Sequence, residues 1–463
     1  MFSPKKDQPL PANNKVISPR KKTNVRYKML ALVFVNVVIN YMDRSNISVA
    51  GTALSKDFHL TSVQLGLVFS AFGWTYALLQ IPGGWLADRF GPRPVYSCSL
   101  FGWSAATFFQ GFVNGFSGLL FLRLLIGAFE APAYPTNNRI ATAWFPDNER
   151  ASAIALYTSG QFVGLAFLTP LLVTAQHFFG WRGLFIATGL VGILWSFCWH
   201  LFYRDPAKHP AVNEAELTYI EEGGGLPQRR QKQSTEAPKK LTWATARQAF
   251  TSKKLWGIYI GQFTINSTLW FFLTWFPTYL VKYRGLQFLT SGFLASLPFI
   301  AAFCGLLLSG FASDYLLKKN VSAGIARKTP IVLGLLLSTT IVAADYVSGS
   351  FWIIFFLSLA FFGNGLASIT WVLVSALAPK HLIGFTGGVF NFIGGLASVI
   401  VPIIIGYLAS SGNFKPALFF IGVLAFVGAC CYIFMVGEIK RIDGEDVATD
   451  FVLQNQPALN NEA

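Results

Sequence analysis

Four ionisable side chains interrupt the long apolar stretches of this chain: Asp43, Arg44, Arg123 and Glu130. Acids and bases placed this way suit two chemistries, proton exchange and anion binding. An ionised group near a bilayer centre costs at least ~2.5–3.5 kcal/mol, so each needs a partner or a task. Two acids and two bases carry no net charge, which suggests that they compensate one another. At a helical rise of about 1.5 Å per residue, Asp43 lies ~22 Å along its segment from residue 28. Arg123 lies ~8 Å from the opposite start of the fourth apolar segment. In a hydrocarbon core of ~30 Å these levels coincide, so an Asp43–Arg123 pair is expected, as a proton site or as a structural ion pair. Arg44 follows Asp43 directly and points ~100° away from it. It is therefore expected to face a central cavity, where its fork of donors fits a carboxylate. Arg123 and Glu130 are seven residues apart and share a helix face, with Glu130 about two turns deeper. A carboxyl there, with no base beside it in sequence, is driven toward its neutral form by low dielectric and toward its charged form by an approaching Arg. Such a group can take up and release a proton as its surroundings alternate.

Uncharged polar groups fall in the same stretches. The carboxamides of Gln161 and Asn391 are the most telling, because a buried amide without a partner is costly. They come from opposite halves of the chain, as a site between two repeats requires. Tyr41, Tyr76, Ser368 and Thr370 offer hydroxyls, and Trp371 an apolar face. Interface anchoring or bonding within the same helix is the plainer reading for each of these. His59, His177, His209 and His381 fall in loops and His200 at a helix end, so none competes for a proton role.

The elements holding these groups follow from composition. Of 463 residues, 53% are hydrophobic and 12% charged, about half the charge of soluble domains. Runs near the ~20 residues needed to span a bilayer fall at 29–50, 63–87, 94–114, 118–139, 152–175, 183–203, 255–281, 290–314, 328–346, 351–377, 384–409 and 414–437. The expected fold class is an all-α polytopic membrane protein with twelve transmembrane helices in two six-helix halves, 29–203 and 255–437. Residues 1–28 read as a disordered N-terminus, 204–254 as a linker, and 438–463 as a tail. Within the linker, NEAELTYIEE (213–222) reads as a short amphipathic helix on the membrane face. The first run is too long for a signal-peptide core and reads as a retained span.

Of 36 Lys and Arg, the odd-to-even loops hold only Lys56, Arg182, Lys282, Arg284 and Lys415. Both termini and the linker are therefore expected in the cytoplasm. The net charge of +15 reads as this bias, and not as a nucleic-acid footprint. The halves also repeat: GWLADRFGPR (84–93) follows the second span and GFASDYLLKK (310–319) the eighth, each with Asp four residues after Gly.

GWLADRFGPR is similar to the signature loop of the major facilitator superfamily, G-x-x-x-D-[RK]-x-G-x-[RK]; Gly84, Asp88, Arg89, Gly91 and Arg93 all match. In the second copy Tyr315 stands where a basic residue would sit. NYMDRSNISVA, RLLIGAFEAPAYPTNNR, WFPDNERASA, TSGQFVGLAFLTPLL, TLWFFLTWFP, FFGNGLASITW and GGVFNFIGG together resemble the anion:cation symporter family, over about residues 25–440. PTNNR and SGQFVGLAF most resemble its D-galactonate-carrying members, with hexonate, hexarate and hexuronate carriers sharing much of the pattern. The resemblance implies proton-coupled import of a sugar acid, D-galactonate before gluconate, glucarate or galacturonate, across a bacterial inner membrane. It implies proton-linked acids at Asp43 and Glu130 with Arg123 as an acid's partner. It also implies a substrate site lined by Arg44, Tyr41, Tyr76, Gln161, Ser368, Thr370, Trp371 and Asn391, and a gating loop at Gly84–Arg93. An antiporter and a non-transporting receptor are the rivals.

Other chemistry finds no motif. G-x-x-x-x-G-K-[ST], H-E-x-x-H and G-x-S-x-G are absent, so transport is expected to draw on a proton gradient with no cofactor or metal. No enzymatic activity, no nucleic-acid partner and a monomer are expected. Cys98, Cys198, Cys304, Cys430 and Cys431 form no C-x-x-C pattern and are expected to be buried, inert thiols.

Overall fold

The computed structural model describes residues 22–226, 249–319, 321–379, 383–437 and 439. The first 21 residues, most of the basic linker and nearly all of the tail lie outside these. Among the described residues all regular structure is helical. The first half comprises α1 (Val25–Asp57), α2 (Ser62–Phe90), α3 (Pro92–Gln110), α4 (Phe116–Glu130) continued by α5 (Ala133–Trp144), then α6 (Asp147–Val163) and α7 (Thr169–Phe202). After α8 (Glu214–Glu222) in the linker, the second half comprises α9 (Lys253–Thr274), α10 (Phe288–Lys318), α11 (Ala323–Ser338) and α12 (Ser350–Ala367) leading into α13 (Trp371–Leu377). It ends with α14 (Ile383–Gly395), α15 (Ala397–Leu408) and α16 (Lys415–Cys430). Nine described segments are long and apolar enough to cross a membrane. One of them, 147–202, is broken at Gly180 (φ 68°) into two rods. With α3 and the Lys253–Tyr283 rod, this makes twelve helical rods, six in each half.

Three expectations are refined. The fourth span, expected at 118–139, runs from Phe116 to Trp144 with a break inside it, where α4 stops at Glu130 and α5 restarts at Ala133. Pro132 lies in the interruption, where its missing N–H and its ring oppose a continuous helix. The loop expected at 176–182 is instead helical on both sides, and only the left-handed backbone of Gly180 turns the chain. The linker helix exists, capped by Asn213, and one face of it docks on protein. Glu216 and Ile220 are fully buried. Glu216 takes Arg26 Nη1 at 3.1 Å, and the Tyr219 hydroxyl donates to Glu149 at 2.6 Å.

Helix α1 is the axis of the core, with every residue from Ile39 to Gly51 buried. Phe178, Phe197, Phe311 and Leu333 are instead exposed on the outer surface, the arrangement a lipid solvent favours. The cysteines follow it too. Cys431 alone is buried, Cys98 and Cys304 are exposed, and all are free, which corrects the expectation of five buried thiols.

The halves meet at the end opposite the chain termini. Gly66 packs on the Pro402 backbone and on Gly406, Gly73 on Ser398, and Gly51 on Thr278. Glycine lets these helices approach to backbone contact, where a Cβ would collide. The Ser48 hydroxyl donates to the Thr274 carbonyl at 2.8 Å, and Ser62 meets Tyr283 at 3.3 Å. Toward the other end, Leu78, Ile81, Trp371 and Phe392 are exposed. The seam is closed on one side of the charge cluster and relaxed on the other.

Candidate functional site

The four charges gather around α1, α3 and α4, but not in the expected pairs. Arg44 Nε lies 2.5 Å from Glu130 Oε1, and Arg44 Nη2 is also 2.5 Å from that oxygen. Arg44 is 6% exposed and Glu130 fully buried. The guanidinium sits 4.9 Å from the Tyr41 ring, 4.9 Å from Phe72 and 4.8 Å from Tyr76. This aromatic cage suits a delocalised cation. The hydroxyls of Tyr134 and Tyr41 meet at 3.4 Å and widen the cage. Glu130 is the last residue of α4, and its side chain meets Arg44 of α1.

The expected Asp43–Arg123 pair does not form. Asp43 accepts from Trp103 Nε1 at 3.1 Å and from Asn46 Nδ2 at 3.2 Å. Asn46 also reaches Thr188 on α7 at 2.8 Å. Two neutral donors, one from α3 and one from α1 itself, therefore hold this side chain, and Thr188 of α7 steadies the second of them. Arg123, 1% exposed, faces the Phe72 ring at 5.3 Å. Its Nε and Nη1 meet no hydrogen-bond partner among the described residues, and neither does Glu130 Oε2. Matching depth along two helices brought Asp43 and Arg123 to one level, but rotation about the helix axes set the partners. Arg44 does not face an open cavity either. It is held by the acid that sequence spacing left without a base.

The second half contributes neutral polar groups. Thr370 Oγ1 donates to Gln262 Oε1 at 2.8 Å, and Gln262 Nε2 approaches Asn266 Oδ1 at 3.4 Å. Trp371 is half exposed, its ring 5.0 Å from Phe390. Asn391 Nδ2 donates across the halves to Gln80 Oε1 at 3.0 Å. Ser368 bonds the Asn364 carbonyl of its own turn at 2.9 Å, the plainer reading given above. Gln161 is half-buried between Gly160 and Gly164, where α6 packs onto α1 at Phe34, Val38 and Tyr41.

The signature loop joins α2 to α3 through Gly91, whose φ of 92° suits only glycine. Asp88 takes Arg139 of α5 at 3.3 Å, and Arg139 also reaches the Ala87 carbonyl. Gly84 lies against Pro135. Arg89 covers Trp85 at 5.1 Å, and Arg93 donates to the His200 carbonyl at 2.9 Å.

Sequence reasoning missed Gln80, Gln262 and Asn266, although each is a carboxamide in an apolar run, the cue that picked out Gln161 and Asn391. Asn46 carried the same cue, whereas Trp103 and Tyr134 did not. Among the described residues no three His, Cys, Asp or Glu converge as a metal site would require. Burial, with Arg204 nearby, holds the His209 imidazole below the ordinary histidine range.

A profile of the Major Facilitator Superfamily matches residues 33–402. A D-galactonate transporter of Escherichia coli O6:H1 is 51% identical over 92% of this chain and 99% of its own length. A probable galactarate/D-glucarate transporter of Escherichia coli K12 is 43% identical over 93% of this chain and 98% of its own. Among solved structures, a bacterial homologue of the human lysosomal transporter Spinster, inward-facing and occupied, superposes with a TM-score of 0.69 at 18% identity, covering 95% of this chain and 100% of that one. The xylose transporter of E. coli in an inward-open conformation gives 0.67 at 13%, covering 92% and 99%. A charge cluster buried in the first of two six-helix halves, a seam closed on one side only, and the family profile with its relatives lead to one conclusion: the chain is a membrane transporter of the major facilitator superfamily and not an enzyme.

Proposed function

We propose that the protein imports a sugar-acid anion, D-galactonate first among candidates, together with protons by alternating access. The observation that carries the reading is the buried Arg44–Glu130 contact at 2.5 Å. Ionised Glu130 occupies the one guanidinium best placed to take a substrate carboxylate. Protonating Glu130 removes its charge and frees Arg44 for the anion, so proton and substrate loading favour each other. Substrate release then lets Glu130 ionise and recapture Arg44. Coupling of this kind requires only that both ligands bias one two-state equilibrium. Asp43 serves as a second proton-linked acid, with Arg123 as an acid's partner. The hydroxyls meet Tyr41, Tyr76, Gln161, Ser368, Thr370 and Asn391, with Trp371 against the carbon chain. The Gly84–Arg93 loop steadies the halves as they rock.

In this reading the termini are cytoplasmic, the membrane is a bacterial inner membrane, and the relaxed side of the seam faces inward. The protein works as a monomer driven by the proton gradient, without a cofactor. The 43% identity to a probable galactarate/D-glucarate transporter favours a second reading, a hexarate carrier. The far carboxylate of a dicarboxylate anchored at Arg44 and reaching across to the second half calls for a cation there, however, and the second-half groups placed above are all neutral. That weighs toward a monocarboxylate.

The test is uptake of labelled D-galactonate into proteoliposomes with the external pH below the internal, with unlabelled gluconate, glucarate and galacturonate as competitors. Gradient-driven accumulation is expected in wild type. In Glu130→Gln, accumulation is lost while exchange of preloaded substrate persists. A Glu130→Gln variant that concentrates substrate as well as wild type overturns the coupling.

A further inference from the structure

We infer that Gln80 is a specificity-determining residue of the sugar-acid site, reading hydroxyls at the end of the substrate farthest from its carboxylate, jointly with Asn391. The inference rests on the transport reading above. Gln80 follows Tyr76 by four residues on α2, so the two share a helix face about 6 Å apart along the axis. Tyr76 already touches the Arg44 guanidinium at 4.8 Å. An acid anchored at Arg44 and lying along this face meets Gln80 about one turn farther on, a distance a six-carbon chain covers.

The cross-half contact supplies the chemistry. Asn391 Nδ2 donates to Gln80 Oε1 at 3.0 Å. Two of the other hydrogen bonds between the halves, Ser48 to Thr274 and Ser62 to Tyr283, lie at the closed end. The amide pair lies on the relaxed side, with Asn391 exposed and Gln80 half-exposed. An amide bond open to water contributes little to holding two helix bundles together. Among the described residues the Gln80 amide nitrogen and the Asn391 amide oxygen have no other hydrogen bond, so the pair keeps a donor and an acceptor for a ligand. Each sugar hydroxyl both donates and accepts, so two adjacent hydroxyls can enter this pair and be read by both halves at once. Neither amide carries charge, so the pair selects hydroxyls over a second carboxylate.

The test measures exchange KM in proteoliposomes for D-galactonate and for glycerate, a monocarboxylate too short to reach from Arg44 to Gln80. Wild type, Gln80→Ala, Gln80→Asn, Asn391→Ala and the Gln80→Ala/Asn391→Ala double variant are compared. Gln80→Ala is expected to raise the galactonate KM about tenfold, with kcat and the glycerate KM within about twofold of wild type. Gln80→Asn recovers part of the loss. The double variant is expected to lose less than the sum of the single changes, because the two amides act as one reader. An unchanged galactonate KM in Gln80→Ala, equal losses for both acids, or simple additivity would overturn the inference. Wild-type protein that exchanges no sugar acid would overturn the transport reading and this inference with it.

Discussion

Arg44 and Glu130 share one contact, with both Nε and Nη2 of the guanidinium 2.5 Å from the same carboxylate oxygen, Oε1. Glu130 Oε2 meets no protein donor among the described residues. The pair is therefore monodentate and stacked inside three aromatic rings, so the cation can change partners without leaving its cage.

That geometry makes Arg44→Lys far from conservative. An ammonium cannot hold two oxygens in a planar fork or stack on Tyr41, Phe72 and Tyr76 as a guanidinium does. The galactonate KM for exchange is expected to rise by about tenfold or more, with the thermal midpoint little changed. Recovery of wild-type KM by the lysine would show that position 44 supplies charge alone.

Asp43 sits on neutral donors, Trp103 and Asn46. An Asp43→Asn side chain keeps the size and one acceptor oxygen. The thermal midpoint is expected to move by no more than about 4 °C, while accumulation against a gradient falls sharply. Equal accumulation by this variant would make Asp43 a packing residue.

The linker helix gives a prediction about stability. Arg26 is 2% exposed and bridges Glu149 and the fully buried Glu216. Removing one partner of a buried pair costs about 3–5 kcal/mol, because the remaining charge stays buried. Arg26→Ala should lower the thermal midpoint by several degrees. Glu216→Gln, which removes the charge and keeps an acceptor for Thr23, should lower it less. Exchange KM of the folded fraction is expected to stay unchanged in both.

At the seam, a Cβ on Gly73 would lie 2.9 Å from Ser398 Cβ and 3.0 Å from its carbonyl carbon. Gly73→Trp should hold the closed end apart and favour the opposite conformation. Spin labels at His59 and Asn413, both at that end, are expected to report a longer distance than in the same labelled protein without the change. An unaltered distance distribution would mean that α2 and α15 do not part during the cycle.

Much of the architecture was legible because lipid imposes a strong rule. Each span needs a run of apolar residues, and each intramembrane charge needs a reason. The rule located Asp43, Arg44, Arg123 and Glu130 and the carboxamides of Gln161 and Asn391. It could not show that α4 would stop at Glu130, since Pro132 can kink a helix or end it. Nor did it reveal that Glu216, in a polar linker, would be buried against Arg26. A charged helix reads as solvent-facing until the surface that covers it is known.

By itself, then, the chain's residues determined the helical repeat, the two halves and the identity of the charged groups, all local consequences of hydropathy and backbone hydrogen bonding. Only the tertiary structure decided the partners. Depth along a helix follows from counting residues. Which side chain faces which depends on how neighbouring helices rotate and cross, and close packing such as that of Gly127 of α4 on the Phe72 backbone of α2 helps to set it. This is why Arg44 went to Glu130, and Asp43 to Trp103 and Asn46.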